Sequence, residues 1–319
     1  MATAIAHPNI ALVKYWGKRD PALNLPATGS LSLTLAPYAT QTSVQADAPQ
    51  DEAWINGTPV TGPASQRIFK HLDLLDPWRK PATVTSEINF PIAAGLASSA
   101  SGFAALTLAG CAAFGQERNP VELSILARQG SGSACRSLFG GWVEWTCGTR
   151  ADGLDSHAQE LAPEDHWDLC MVVATFHEGP KAVGSTEGML RTMATSPFYP
   201  GWIASVPDDL QAARAAIRSR DLEALGTVME RSALRMHASM MGADPPIRYW
   251  KSSSIWGMDA VENLRANGVG AWWTMDAGPN LKILCEAGHA RVVKERMQTL
   301  ADRVEVLAPG GAAYLVEGT

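Results

Sequence analysis

Gly95-Leu96-Ala97-Ser98-Ser99-Ala100-Ser101-Gly102 stands between an extended stretch, residues 84–90, and an Ala/Leu-rich run that reaches residue 114. Small side chains let a backbone come close to a phosphate group. A helix that starts there aims its unpaired N–H groups and the positive end of its dipole at the same point. The serine hydroxyls add hydrogen bonds or ligands for Mg²⁺. This is not a Walker A loop, because the Gly-Lys-Ser/Thr ending is missing. Composition alone also fits a small-residue helix packed on a sheet, so the neighbouring segments decide how the stretch is read.

Upstream, residues 10–16 and 30–35 read as strands, the second with clean alternation, and residues 40–46 as a weaker one. Residues 54–60 carry Asn56-Gly57, a hairpin signal, and residues 66–74 read as a helix. Downstream, residues 121–128 form a second helix, residues 130–141 a second Gly/Ser-rich segment, and residues 142–147 and 169–175 strands. The second half changes character. Residues 207–236 read as helical with a break near Arg220-Asp221, residues 255–267 and 290–302 as helices, and residues 270–275 and 281–286 as strands. There is no internal repeat and no low-complexity linker. A boundary between residues 175 and 185 divides the chain into two domains, 1–180 and 181–319.

The 319 residues are 46% hydrophobic and 18% charged, which suits a globular protein with a real core. The net charge of −6 and the lack of a basic stripe argue against a nucleic-acid partner. An acidic chain that binds anions must do so through a local site. The most apolar segment, residues 92–114, is broken by Gly and Ser, so no stretch reaches the roughly 18 uninterrupted apolar residues of a membrane span. The first twenty residues have no apolar core of the signal-peptide kind. Five scattered cysteines without a Cys-x-x-Cys pair suggest neither a zinc site nor a disulfide framework, and fit a reducing cytoplasm.

Three further constellations bear on chemistry. Arg128-Gln-Gly-Ser-Gly-Ser-Ala-Cys-Arg-Ser137 offers exposed backbone, hydroxyls and, at Arg136, a guanidinium able to clamp a carboxylate or phosphate. Lys14-Tyr15-Trp16-Gly17-Lys18-Arg19-Asp20 is a local basic edge which, taken alone, reads as a solvated strand end. Thr274-Met275-Asp276-Ala277-Gly278-Pro279-Asn280 puts an acid where an apolar strand meets a loop, a place for either function or a turn-forming Asp. Two Gly/Ser-rich segments in one acidic chain favour a polyanionic ligand.

Together these segments resemble the diphosphomevalonate decarboxylases, a branch of the GHMP kinases (galactose, homoserine, mevalonate and phosphomevalonate kinases). The resemblance rests on Asn9-Ile-Ala-Leu-Val-Lys-Tyr-Trp-Gly-Lys-Arg-Asp20, Leu23-Asn-Leu-Pro26, Ser30-Leu-Ser-Leu-Thr-Leu35, Gly95 to Gly102, Gly130 to Ser137 and Met275 to Asn280. Weaker landmarks are Gly184-Ser-Thr-Glu-Gly-Met189, Thr195-Ser196, His237-Ala238 and Pro245-Pro246. It implies an α/β fold (α+β, two-layer) of the GHMP kinase type. A ribosomal protein S5 domain 2-like N-terminal domain would hold the nucleotide, and a ferredoxin-like α+β domain would follow, with the active site in the cleft between them. It also implies a homodimer, ATP and Mg²⁺. ATP would phosphorylate the tertiary 3-hydroxyl of (R)-5-diphosphomevalonate, and loss of that phosphate with CO₂ would leave isopentenyl diphosphate.

By the same resemblance, Asp276 lies beside the hydroxyl as base or orienting group, and Lys18 neutralises the transferring phosphate and tunes Asp276. Arg136 grips the substrate carboxylate, Ser133 and Tyr15 lie near the diphosphate, and Asn9 joins them in binding substrate. Gly95, Leu96, Ala97, Ser98, Ser99, Ala100, Ser101 and Gly102 cradle ATP, with Ser98 or Ser99 serving Mg²⁺. The chain departs from the pattern at Thr28-Gly29, where Asn-Ser is usual, and at His7, where a small residue is common. Gly29 lacks a hydroxyl available to the nucleotide or a nearby loop. A mevalonate 5-phosphate decarboxylase, a mevalonate 3-kinase and an inactive ATP- or isoprenoid-binding regulator are the alternative readings.

Overall fold

Alternation in Ser30-Leu-Ser-Leu-Thr-Leu35 sorts one strand into two chemistries. Leu31, Leu33 and Leu35 enter an apolar core, while the hydroxyls of Ser30, Ser32 and Thr34 turn to the opposite face. The computed structural model describes residues 1–91, 98–177, 179 and 182–317. The first part of the chain holds β1 (Ala2–Ala6), β2 (Asn9–Val13), β3 (Lys18–Asp20), β4 (Leu25–Pro26), β5 (Ser30–Ala36), β6 (Thr40–Gln45), β7 (Glu52–Ile55), β8 (Thr58–Pro59), α1 (Pro63–Leu75), β9 (Thr83–Ile88), α2 (Ser98–Ala113) and α3 (Pro120–Gly130). A 3₁₀ helix, Gly132–Leu138, leads to β10 (Trp142–Trp145), β11 (Ala158–Ala162) and β12 (Leu169–Thr175). Then come α4 (Ser185–Thr195), α5 (Tyr199–Ser219), α6 (Leu222–Met241), α7 (Ser252–Ala266), β13 (Ala271–Met275), β14 (Leu281–Glu286), α8 (Ala290–Gln298), β15 (Arg303–Pro309) and β16 (Tyr314–Leu315).

The strands form two main sheets. One is ordered β16-β1-β6-β9-β7-β8, and α2 packs its Phe103, Ala104 and Leu106 against Ala4, Val44 and Val84 of that sheet. The other is ordered β11-β10-β5-β15-β12-β14-β13, with β2 also paired to β5. Helix α5 covers the leucine face of β5, and α6 lies on β13 so closely that a Cβ at Gly226 would fall 2.0 Å from the Trp272 ring. The β3–β4 pair stands apart as a small ribbon.

Several expected elements differ in the structure. The long helix begins at Tyr199 and carries Pro207 in its interior, although a start at Pro207 is the reading a proline invites. The break at Arg220-Asp221 is present: Arg220 is left-handed (φ 55°), and the Asp221 carboxylate caps α6 by accepting from the Ala224 N–H at 2.9 Å. The middle of the second Gly/Ser-rich segment folds as the 3₁₀ helix. Strand β12 precedes the expected boundary at residue 180, yet it is paired on one edge with β14 and on the other with β15. Strands β15 and β16 return to pair with β5 and β1. Among the described residues, no helix is long and apolar enough to cross a membrane.

Candidate active site

The apolar strand β13 ends at Met275 and delivers Asp276 into a pinned turn. The Gly278 N–H donates to the Asp276 carbonyl at 2.7 Å, and the Ser254 hydroxyl donates to the Pro279 carbonyl at 2.7 Å. The Asn280 amide accepts from the N–H groups of Phe176 and His177 and donates to the His177 carbonyl. The turn is thereby tied to the segment that follows β12. The Asp276 Oδ1 lies 2.6 Å from the Lys14 ammonium, and Oδ2 lies 3.5 Å from that of Lys282.

Lys14 is buried and also donates to the Ala11 carbonyl at 2.8 Å, while its own N–H donates to Ser232 Oγ. Burial outweighs the pull of Asp276 and brings the Lys14 ammonium down to about 8. Behind the turn, His237 Nε2 is 3.4 Å from the Met275 carbonyl, and burial pushes this imidazole down to about 3.

The basic edge around residue 14 is not a solvated strand end. Lys14, Trp16 and Lys18 are all buried, and Arg19 alone of its three cations faces outward. The large core beneath it takes in Trp16, whose indole donates to Thr192 Oγ1. The lysine that touches Asp276 is Lys14 and not Lys18. The Lys18 ammonium donates to Asn24 Oδ1 at 2.6 Å, and Asn24, left-handed at φ 51°, is anchored in turn to the Gln129 carbonyl.

Arg136 sits on the 3₁₀ helix, buried at 3% exposure. Its Nε donates to Asn9 Oδ1 at 3.1 Å and one terminal nitrogen donates to Ser30 Oγ at 2.5 Å, which the hydroxyl face of β5 makes possible. Asn9 Nδ2 donates to the Ser133 carbonyl and to Ser137 Oγ, locking the pair. Tyr15 stacks tilted on Trp145, and its buried hydroxyl has no hydrogen-bond partner among the described residues. A buried phenol in that state is suited to an incoming polar ligand. A Cβ at Gly132 would come within 2.9 Å of that hydroxyl, so glycine keeps the space beside it open.

Of the eight loop residues, Gly95, Leu96 and Ala97 lie outside the described residues. Ser98 and Ser99 line the same cavity as the groups above, with the Ser131 hydroxyl 3.3 Å from that of Ser99. Ala100 and Ser101 turn their side chains into the core, where Ser101 Oγ meets Thr40 Oγ1 at 2.7 Å. Their share in a phosphate cradle is therefore left to the backbone of the helix start. Gly102 has open space around it. At Gly29 the issue is room rather than a missing hydroxyl: a Cβ there would lie 2.9 Å from Leu210 and 3.1 Å from the Trp145 carbonyl. His7 is bonded to the Tyr38 carbonyl and is not part of the cavity wall.

The cavity measures about 470 Å³ and is bounded by Asn9, Lys14, Tyr15, Lys18, Ser98, Ser99, Ser133, Arg136 and Asp276, with Asn24, Arg67, Ser185 and Thr186 among the others. Arg67 of α1 donates to the Gly130 carbonyl and lies over the Phe103 ring. Nothing in an ordinary helical stretch marks Arg67 in advance. Ser185 and Thr186 open α4, whose N-terminal end adds positive potential. Lys14, Lys18, Arg67 and Arg136 against Asp276 make this a local anion site in an acidic chain. A larger hollow, about 640 Å³, lies between α6 and the α7–β13 turn, but its arginines are paired already, Arg231 and Arg235 with Asp209 and Arg265 with Glu230. Its charge is spent internally, so the smaller cavity is the better anion site.

Fold and cavity define a GHMP-kinase-type α/β protein with a polyanion site set between a small-residue helix start and a lysine-gripped aspartate. Residues 6–158 match the diphosphomevalonate decarboxylase-like N-terminal domain, and residues 171–307 match the mevalonate 5-diphosphate decarboxylase C-terminal domain. The mevalonate diphosphate decarboxylase of Staphylococcus aureus superposes with a TM-score of 0.94 at 38% identity, over 99% of this chain and 98% of that one. A structure of MDDEF in complex with MVAPP, AMPPCP and magnesium gives 0.93 at 39% identity, over 99% and 98%. The diphosphomevalonate decarboxylase of Aspergillus fumigatus is 40% identical over 306 residues, 88% of this chain and 76% of that relative. The chain belongs to the diphosphomevalonate decarboxylase family.

Proposed function

We propose that this protein catalyses the ATP-dependent decarboxylation of (R)-5-diphosphomevalonate to isopentenyl diphosphate, releasing CO₂, ADP and phosphate. The observation that carries the reading is Asp276, held by Lys14 on the wall of a cationic cavity that also presents Arg136 and Tyr15. Family membership and the neighbour solved with MVAPP, AMPPCP and magnesium support it.

In this reading Asp276 accepts a hydrogen bond from the tertiary hydroxyl and orients it towards the γ-phosphoryl group of ATP. The oxygen takes the phosphoryl group as its proton passes to the Asp276 carboxylate, and ADP leaves. The C–O bond then breaks with its electron pair on the departing phosphate, and the C–C bond to the carboxylate supplies the electrons of the new double bond as CO₂ departs. Lys18 neutralises charge on the transferring phosphate, and Arg136 holds the substrate carboxylate. Asn9 supports that grip, and Ser133 and Tyr15 face the diphosphate, Tyr15 with its hydroxyl. Positioning and charge stabilisation are the protein's main contributions. The clustered hydroxyls of Ser99 and Ser131 at the start of α2 suit a phosphate with a hard cation, and Ser98 or Ser99 would hold Mg²⁺, which neutralises phosphate charge when bound.

The proposal includes a nucleotide-holding domain at residues 1–180, a second domain at 181–319, a homodimer and a cytoplasmic setting with no nucleic-acid or membrane partner. Purified protein with ATP and Mg²⁺ should release ADP and CO₂ in equal amounts from the 5-diphosphate. Equality only with the 5-phosphate would reassign the substrate. ADP without CO₂ would mean a 3-kinase.

A further inference from the structure

Lys282 is a cation that the cavity does not use directly. It lies on β14, pairs across the sheet with Thr274 and Val173, and is 0% exposed. Its ammonium reaches the Asn280 carbonyl at 3.4 Å and Asp276 Oδ2 at 3.5 Å, both at the long end of useful contact. A buried ammonium with such loose partners is costly, and an apolar side chain of similar length would suit the sheet better. Lys14 already neutralises the other carboxylate oxygen at 2.6 Å. Fold stability therefore gives no reason for a second lysine, whereas carboxylate geometry does.

We propose that Lys282 is a positioning residue that fixes the second oxygen of Asp276, so that two buried ammonium groups set the plane of the carboxylate and keep it ionised towards the substrate hydroxyl. This rests on the function proposed above. Among the described residues, the charged and titratable groups around Asp276 include Lys14 beyond β2, Arg136 on the 3₁₀ helix, His237 on α6 and Lys282 itself on β14. His237 is kept neutral by burial, so the three cations act on the carboxylate in one direction.

The test is Lys282→Met. Removing a neighbouring cation raises the pKa of a carboxylate, so an activity that needs Asp276 ionised is lost at a higher pH as the solution is acidified. The acid limb of kcat should move up by about one pH unit. At the optimum, kcat should fall roughly tenfold to a hundredfold with KM values little changed, because orientation rather than binding is lost. The melting temperature should hold or rise. An acid limb that stays in place would overturn the proposal, whatever happens to stability. A ¹³C titration of the Asp276 carboxyl in both proteins, assigned with Asp276→Asn, reads the same shift without turnover. Wild-type protein that makes no CO₂ would count against the proposed function alone, while an Asp276 titration unmoved by Lys282→Met would count against the role of Lys282 alone.

Discussion

At the scale of single residues, Lys14 decides the most because burial and pairing oppose each other there. Its ammonium titrates at about 8 instead of 10.5. Activity that needs the cation on Asp276 should decline on the alkaline side near that pH. Lys14→Arg, with a guanidinium that stays charged, should push the limb well beyond it, and kcat/KM against pH reads both outcomes. The stability sign is separate: between about 8 and 10.5 the unfolded chain binds the extra proton, so the contribution of Lys14 to stability rises with pH across that window. Arg136 makes a different demand. Its fork serves Asn9 with one nitrogen and Ser30 with another, and one ammonium cannot reproduce that. Arg136→Lys should lower kcat/KM about tenfold to a hundredfold, the worth of one charged hydrogen bond. Unchanged kcat/KM for diphosphomevalonate would remove Arg136 from the substrate grip. Asp276, Arg136, Tyr15, Ser133, Asn9 and Lys18 were legible in the sequence because each sits in a motif, and all line one cavity. The partnership of Lys14 with Asp276 was not, because 262 residues separate them and the closer-looking Lys18 is held by Asn24.

At the scale of elements, local pattern and tertiary partners share the work unequally. The alternation of β5 was readable, and so was the helix break at Arg220-Asp221, where a left-handed residue and an Asp cap change the chain direction. Strands β1 and β15 escaped because their identity lies in their partners: β1 pairs with β6 and β16, and β15 with β12 and β5. Helix α4 is marked in the sequence only by a landmark motif, since its Ser-Thr-Glu-Gly start carries two weak helix formers and a glycine. That Gly188 lies against the Trp16 ring, which a Cβ would approach to 3.1 Å. The packing of α6 on β13 gives a sharper test. Gly226 leaves no room for a methyl group against Trp272, a large side chain in a closed interface. Gly226→Ala should destabilise the protein by about 1–3 kcal/mol through overpacking, despite the better helix propensity of alanine. Urea unfolding checks this. A stabilised variant would show that Trp272 shifts freely.

For the whole molecule, the decisive feature is that the chain closes on itself. β15 joins β5 to β12 within one sheet, and β16 completes the other sheet beside β1, so neither half keeps all of its strands without the other. Buried groups in the two halves should accordingly report on one unfolding transition. His71 lies on α1 with Nε2 2.8 Å from Thr107 Oγ1, and His237 lies on α6 behind Asp276. Burial pushes both imidazoles down to about 3 from 6.5. Below pH 6.5 the unfolded chain takes up protons that the native state refuses, so stability falls as pH falls and goes on falling until both folded imidazoles titrate near 3. Between pH 6.5 and 5, each histidine should remove about 1.6 kcal/mol, the slope steepening from half of about 1.4 kcal/mol per pH unit towards its full value. Urea midpoints measured at both pH values should drop together by fluorescence and by circular dichroism. His71→Gln keeps a hydrogen-bonding group beside Thr107 and has no proton to gain, so it should lose close to half of that histidine-linked drop. If the variant shows the full wild-type slope, acid sensitivity comes from groups other than His71. If the two probes separate instead, the β5–β15 and β1–β16 pairings do not bind the halves into one cooperative unit.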